Sequence, residues 1–424
     1  MREALSGLTT RGRCFLAAGG AAAVCAAILH ERDLLRIAVF LAVLPLVALA
    51  VVTRTRYRLA CSRRLDPAQV PVGQRSAVVL RLENVSRLPT GLLLMEDTLP
   101  YSLGGRPRFV LDRVRPRGVR SVQYPVRADV RGRYVIGPLS VQLTDPFGMV
   151  ELTRSFSSVD TLTVTPVVHP LPPVRLGGDW AGGGDSRARS VATQGEDDAA
   201  TREYHQGDDL RKVHWRSTAR VGELMVRREE QPWQSRAAVA LDTRASAHRG
   251  DGPGSSFEWA VSAAASVAVH LAHDGYSLRL LTDSATDLNA PRGANTAGLL
   301  LDHLSEVRAS NRRTIAPVVD VLRRTSGEGM VVAVLGWLDP DDADLVSRSL
   351  SRSTLGVAIL LDCATWVGLS PRQAADAREE FEIVTNRLRH GGWRVLVARH
   401  GASLPRLWPM AATPNAAGSW AGAR

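Results

Sequence analysis

Ala237-Ala238-Val239-Ala240-Leu241 is an uninterrupted apolar run that ends on Asp242. A strand buried on both faces reads as such a run, whereas a half-buried strand alternates. A helical stretch, Phe257–His273, follows it, and the unit then repeats. Leu278–Leu281 precedes Ala297–Val307, Met330–Leu335 precedes Asp341–Leu350, and Leu355–Leu361 precedes Pro371–Arg389. Trp393–Ala398 closes the series. Short apolar runs alternating with helices predict an α/β domain over residues 236–404, with a parallel sheet covered on both faces. Ligands of such sheets bind beyond the carboxyl ends of the strands, so the residues after Leu241 are the first place to look for a site. Residues 405–424 read as a loose tail.

Working upstream, residues 196–235 are dense in charges of both signs, and 171–195 form a linker with Pro172-Pro173 and Gly182-Gly183-Gly184. Residues 65–170 show a period of two. Val78, Leu80 and Leu82 alternate with Val79, Arg81 and Glu83, and Val122, Tyr124 and Val126 with Gln123, Pro125 and Arg127. Leu139, Val141 and Leu143 behave in the same way, as do Leu162 and Val164. Half-buried strands separated by Gly, Pro and Asn predict an antiparallel β-sandwich.

The first 64 residues carry two apolar runs. Cys14–Leu29 has no charge, and Leu34–Val52 has only Arg36. A membrane-crossing helix needs roughly 20 apolar residues. With only residues 30–33 between them, the runs predict a transmembrane helical hairpin spanning about 14–29 and 34–52. Arg2, Arg11 and Arg13 precede it, and Arg54, Arg56, Arg58, Arg63 and Arg64 follow it. The positive-inside rule then predicts a multi-pass inner (cell) membrane protein with both termini and the soluble domains in the cytoplasm. A signal peptide followed by one anchor, or two buried core helices, are the competing accounts of the same runs.

The formal net charge is +11, which first suggests nucleic acid. Residues 1–64 hold ten arginines against Glu3, Glu31 and Asp33, or +7, which leaves +4 for the remaining 360 residues. Most of the excess is therefore a topology signal, and no nucleic-acid partner is expected. Lys212 is the only lysine, and it follows Arg211 and precedes Val213, so a Walker A loop is excluded. Cys14, Cys25, Cys61 and Cys363 have neither zinc-site nor disulfide-framework spacing.

Three stretches resemble one bacterial family, domain of unknown function 58. The first is Arg131-Gly132-Arg133-Tyr134-Val135-Ile136-Gly137-Pro138-Leu139 with Asp145-Pro146-Phe147-Gly148. The second is Arg202-Glu203-Tyr204, Gly207-Asp208-Asp209-Leu210-Arg211, His214-Trp215 and Ala219-Arg220. The third is Val239-Ala240-Leu241-Asp242-Thr243. The resemblance implies a membrane-anchored protein whose Rossmann-type α/β domain is von Willebrand factor A-like. It also implies MoxR-type AAA+ ATPases as partners and an assembly or maturation role toward an unidentified protein client.

That resemblance brings a metal question. The von Willebrand factor A domain often places an Asp-x-Ser-x-Ser loop after its first strand, whose oxygens ligate Mg²⁺. Here the loop reads Asp242-Thr243-Arg244-Ala245-Ser246. Asp242 and Ser246 match, while Arg244 puts a fixed cation where a ligand should be. Thr296 and Asp339 are candidates for the outlying ligand positions. The competing account pairs Asp242 with Arg244 or makes it a helix cap. No cofactor is expected, with Mg²⁺ as the candidate if one is held. Arg202, Glu203, Tyr204, Gly207, Asp208, Asp209, Arg211, His214, Trp215 and Arg220 form either a salt-bridged interdomain seam or a partner-docking face. The leading expectation is a non-enzymatic adaptor. The alternative is a metal-dependent hydrolase acting through Asp242 and the carboxylates of the 196–209 stretch.

Overall fold

The computed structural model describes residues 7–54, 59–174 except 88 and 146, 201–204, 213, 215–227, 236–282, 287–290, 293, 295–325, 329–351 and 353–412. Its contacts divide the chain into two units, Met1–Val167 with Leu301–Val307, and Val168–Leu300 with Arg308–Arg424.

The first unit opens with helices α1 (Thr10–Leu29) and α2 (Arg32–Arg54), both long and apolar enough to cross a membrane. The Thr9 hydroxyl caps α1 by accepting from the Gly12 N–H. Gly19 packs against Ala38 and Ala42, and a Cβ there would lie 3.1 Å from the Ala42 nitrogen. Small residues allow such close approach of helices in lipid.

Ten strands follow: β1 (Leu59–Asp66), β2 (Gln69–Pro71), β3 (Arg75–Asn84), β4 (Leu93–Asp97), β5 (Arg108–Leu111), β6 (Val119–Arg127), β7 (Gly132–Ile136), β8 (Leu139–Thr144), β9 (Glu151–Phe156) and β10 (Asp160–Thr165). They form sheets in the orders β1-β3-β6, β2-β10-β7 and β5-β4-β8-β9. The alternation read from sequence is the alternation of burial: Val78, Leu80, Leu82, Leu139, Val141 and Leu162 are fully covered in one core.

The sheet region begins at Leu59 rather than 65, because Leu59, Cys61 and Leu65 pack on this core. This also corrects the place given to Arg63. It lies in β1 with its side chain turned inward, 1% exposed. Its guanidinium donates to Asp97 at 2.6 and 3.3 Å and to the carbonyls of Ile136 and Ser158. The Tyr124 hydroxyl donates to the same carboxylate at 2.5 Å. Burial, with Asp97 beside it, raises the Tyr124 pKa well above its usual value.

In the second unit a short ribbon pairs β11 (Thr201–Glu203) with β12 (Met225–Arg227), and helix α3 (Trp215–Val221) lies between them in sequence. The six-stranded sheet contains β13 (Arg236–Leu241), β14 (Ser277–Thr282), β15 (Asp287–Ala290), β16 (Gly329–Leu335), β17 (Thr354–Leu361) and β18 (Arg394–Ala398). Its order is β15-β14-β13-β16-β17-β18. Only β15 is antiparallel to its neighbour, so five strands are parallel. The order reverses direction at β13, between β14 and β16. The helices among these strands include α4 (Ser256–His273), α5 (Thr296–Glu306), α6 (Ala316–Thr325), α7 (Pro340–Ser347) and α8 (Pro371–His390).

The apolar runs read from sequence mark neither β15 nor α6, nor the β11–β12 ribbon. The apolar residues of α6 do carry a helical spacing, since Val318, Val319 and Leu322 are all buried, as is Ile315 just before the helix. The loose tail is also corrected in part. Helix α9 (Leu404–Leu407) and the turn Trp408–Ala412 pack down, with Trp408 and Ala411 fully buried and Arg394 donating to the Ala411 carbonyl. Residues 413–424 lie outside the described residues.

Candidate functional site

At the carboxyl end of β13, beside the point where the strand order reverses, the chain builds a compact charged cluster. Asp242 is fully covered, and Arg244, two residues on, is 2% exposed. The guanidinium grips Asp242 in a fork, with Nε to Oδ1 and Nη2 to Oδ2 both at 2.9 Å. Its Nη1 donates to Asp342 Oδ2 at 2.5 Å, and Nη2 also reaches the Trp337 carbonyl at 3.2 Å. Two backbone N–H groups complete Asp242: Arg244 at Oδ1 and Gly336 at Oδ2. Glycine is required at 336, because a Cβ would collide with the Ala247 carbonyl.

Burial works against the Arg244 charge, but the two carboxylates more than offset it and hold its pKa above the usual arginine value. Burial pushes the Asp342 carboxyl upward, Arg244 draws it back, and Asp339 adds to the rise.

Beneath this cluster His248 Nε2 lies 2.8 Å from the Asp242 carbonyl, so that nitrogen donates. Its Nδ1 then accepts from the Ser256 hydroxyl at 3.2 Å. Ser256 Oγ in turn accepts from the Arg249 N–H at 2.8 Å. The Cys363 thiol donates to the Ala247 carbonyl at 3.2 Å, and burial pushes its pKa to about 11. This buried network fixes the loop 242–256 to the sheet edge.

The neutral imidazole carries a pH signature. Burial lowers the His248 pKa below its usual value, with Asp242 opposing. The unfolded chain therefore binds a proton first, and the stability that His248 contributes is complete above about pH 6.5 and lost as pH falls toward the lowered folded value. Asp342, with a raised folded pKa, acts in the opposite sense. A thermal unfolding series from about pH 7.5 to 5.5 is expected to show a falling midpoint, and His248→Gln is expected to flatten that slope.

The other residues expected at the site each have a local partner. Ser246 is exposed, and its carbonyl accepts from Arg249. Asp339 caps α7 by accepting the Asp342 N–H at 2.7 Å. Thr296 opens α5, and its hydroxyl donates to the Gly293 carbonyl. Asp342, not named from sequence, is the carboxylate that reaches Arg244. Its only local signal was the run Asp339-Pro340-Asp341-Asp342 after a buried strand. Among the described residues no three His, Cys, Asp or Glu side chains gather as metal ligands.

The charged signature is described in part. Arg202 and Glu203 lie in β11, and the Tyr204 N–H donates to the Leu224 carbonyl. Trp215 is 71% exposed at the start of α3, and Arg220 is exposed near its end. Gly207, Asp208, Asp209, Arg211 and His214 lie outside the described residues.

Residues 200–363 match the model of a family described as "Protein of unknown function DUF58". The matched segment is 164 of the 424 residues. That segment contains the β11–β12 ribbon and the whole Asp242–Arg244–Asp342 cluster. "Uncharacterized protein YeaD" of Bacillus subtilis (strain 168) is 27% identical over 212 residues, 49% of this chain and 51% of the relative. The chain thus spans about half the length of this curated relative. Among solved structures, the CARDB domain of the PF1109 protein from Pyrococcus furiosus is 13% identical, with a TM-score of 0.19 over 26% of this chain and 91% of that one. The FixG-related protein from Vibrio parahaemolyticus is 11% identical, with a TM-score of 0.17 over 25% and 95%. Both likenesses are too slight to carry an argument.

Proposed function

We propose that the chain is a membrane-tethered, non-enzymatic adaptor or assembly factor. Its α/β unit, built in the manner of a von Willebrand factor A domain, docks a MoxR-type AAA+ ATPase and, through it, a protein client. The helices α1 and α2 anchor it as a hairpin, with both termini and the folded units on the cytoplasmic side. The strand order, with one antiparallel edge strand, supports the von Willebrand factor A-like reading.

The observation that carries this proposal is the Arg244 fork on Asp242. Both carboxylate oxygens that an Mg²⁺ ion would need are engaged by a fixed cation, and Asp342 closes the other side. Mg²⁺ demands near-octahedral oxygen coordination, which these donors do not fit. Two exposed tryptophans are suited to gripping a partner: Trp337, 42% exposed beside the cluster, and Trp215 on α3. Exposed tryptophan and arginine are the side chains that most often dominate protein interfaces.

A pull-down of the full chain with a genomically neighbouring MoxR-type ATPase tests the docking. Trp215→Ala with Arg220→Ala is expected to weaken capture at least about tenfold, in line with the loss of one interface hot spot. Equal capture by the variant and the parent sinks the docking role. Calorimetric titration with Mg²⁺ addresses the hydrolase alternative. Micromolar binding that is lost in Asp242→Ala, together with turnover of a substrate, replaces the adaptor by the hydrolase.

A further inference from the structure

We propose that the turn Asp145–Val150 is a membrane-seated foot. Phe147 enters the headgroup layer of an anionic bilayer, and Arg11 and Arg13 face its phosphates. This rests on the reading of α1 and α2 as membrane spans.

The turn is rigid. The Asp145 carboxylate accepts from the N–H of Phe147 at 2.9 Å and of Val150 at 2.6 Å, and the Gly148 N–H donates to the Asp145 carbonyl at 3.0 Å. Phe147, in this turn, is 60% exposed.

The turn is also bolted to the start of the hairpin. The Thr9 N–H donates to the Met149 carbonyl, the Thr9 hydroxyl to the Gly148 carbonyl, and the Glu151 N–H to the Gly7 carbonyl. A Cβ on Gly12 would collide with the Met149 carbonyl. Met149 and Val150 are buried in one cluster with Leu8, Phe15, Leu44 and Ala48.

Those partners set a depth. The candidate spans run from Thr10 and to Ala50. At about 1.5 Å per residue, Phe15 and Leu44 lie roughly 8–9 Å inside those ends. A turn whose side chains reach that far along the helices is held at the bilayer boundary, not out in solvent. Aromatic rings concentrate at that boundary, and anionic headgroups attract nearby arginines. Arg11 and Arg13 are exposed on this end of α1, and the Arg11 guanidinium lies against Gly148. The continuity of turn, arginines and spans names the bilayer as the occupant.

Fluorine NMR of the full chain in nanodiscs of phosphatidylglycerol and phosphatidylethanolamine tests this. Phe147 is replaced by 4-trifluoromethylphenylalanine, and its relaxation is compared with a nitroxide on the lipid headgroup and with a water-soluble gadolinium chelate. The lipid-borne nitroxide is expected to give the larger enhancement, and more so than in phosphatidylcholine discs. A larger effect from the chelate overturns the foot, and so does protection from both agents, which assigns Phe147 to a protein contact. Equal enhancement in the two bilayers overturns the arginine part. The same label at Phe40 of α2 reports on the hairpin separately. If a nitroxide deep in the acyl chains leaves Phe40 unaffected, the spans themselves are wrong; if Phe40 responds and Phe147 does not, only the foot is lost.

Discussion

Asp97→Ala is expected to destabilise the β unit by about 3–5 kcal/mol, the range for removing one partner of a buried ion pair. The cost lies in what remains. Arg63 and Asp97 have side chains 1% and 0% exposed, so the arginine would keep its buried charge with only the longer 3.4 Å contact to the half-exposed Asp160 to balance it. The Tyr124 hydroxyl would lose its acceptor in the same step. Asp97→Asn keeps an acceptor for one of these donors and is expected to cost less. Tyr124→Phe removes a single hydrogen bond to a charged group and is expected to cost roughly 1.5–3 kcal/mol. Denaturant unfolding of the full chain in detergent measures all three. An Asp97→Ala loss below about 1 kcal/mol would contradict the buried pair.

Arg244→Ala is the second large effect, on the α/β unit, and again about 3–5 kcal/mol. Here one cation sits between two buried carboxylates. Its removal leaves Asp242 and Asp342 in mutual repulsion within the sheet edge, and the Trp337 carbonyl loses a donor. Adding Asp342→Asn to Arg244→Ala removes one stranded charge. The double variant is therefore expected to be more stable than Arg244→Ala alone, a non-additivity that groups in direct contact show. A double variant at the simple sum of the single losses would mean that the two residues do not communicate.

The two arginines were read very differently before the fold was known. Arg244 stood out because it interrupts a ligand loop, and its pairing with Asp242, two residues away, was among the alternatives that local spacing allows. Asp342 was out of reach of that reasoning. It lies 98 residues from Arg244 in the chain, and only the parallel pairing of β13 with β16 brings its helix to the site. Arg63 was counted with the charges that flank the hairpin. Composition treats every arginine after an apolar run alike, whereas β1 turns this one inward to Asp97, 34 residues away. Trp408 escapes sequence reasoning for a related cause. A single aromatic has no periodicity, and its burial depends on the strand it packs beside.

What the sequence determined by itself was the order of most elements and the face that the period-two strands bury. Continuous apolar runs marked the parallel strands, period-two patterns marked the β unit, and two long apolar runs marked α1 and α2. These are local signals, because a helix or strand must cover its own apolar face whatever its neighbours are. What only the tertiary structure decided was the pairing of charge with charge: Arg63 with Asp97, and Arg244 with Asp242 and Asp342. Ion pairs are chosen by distance in space and by loss of water, and neither is written in the spacing of residues along the chain.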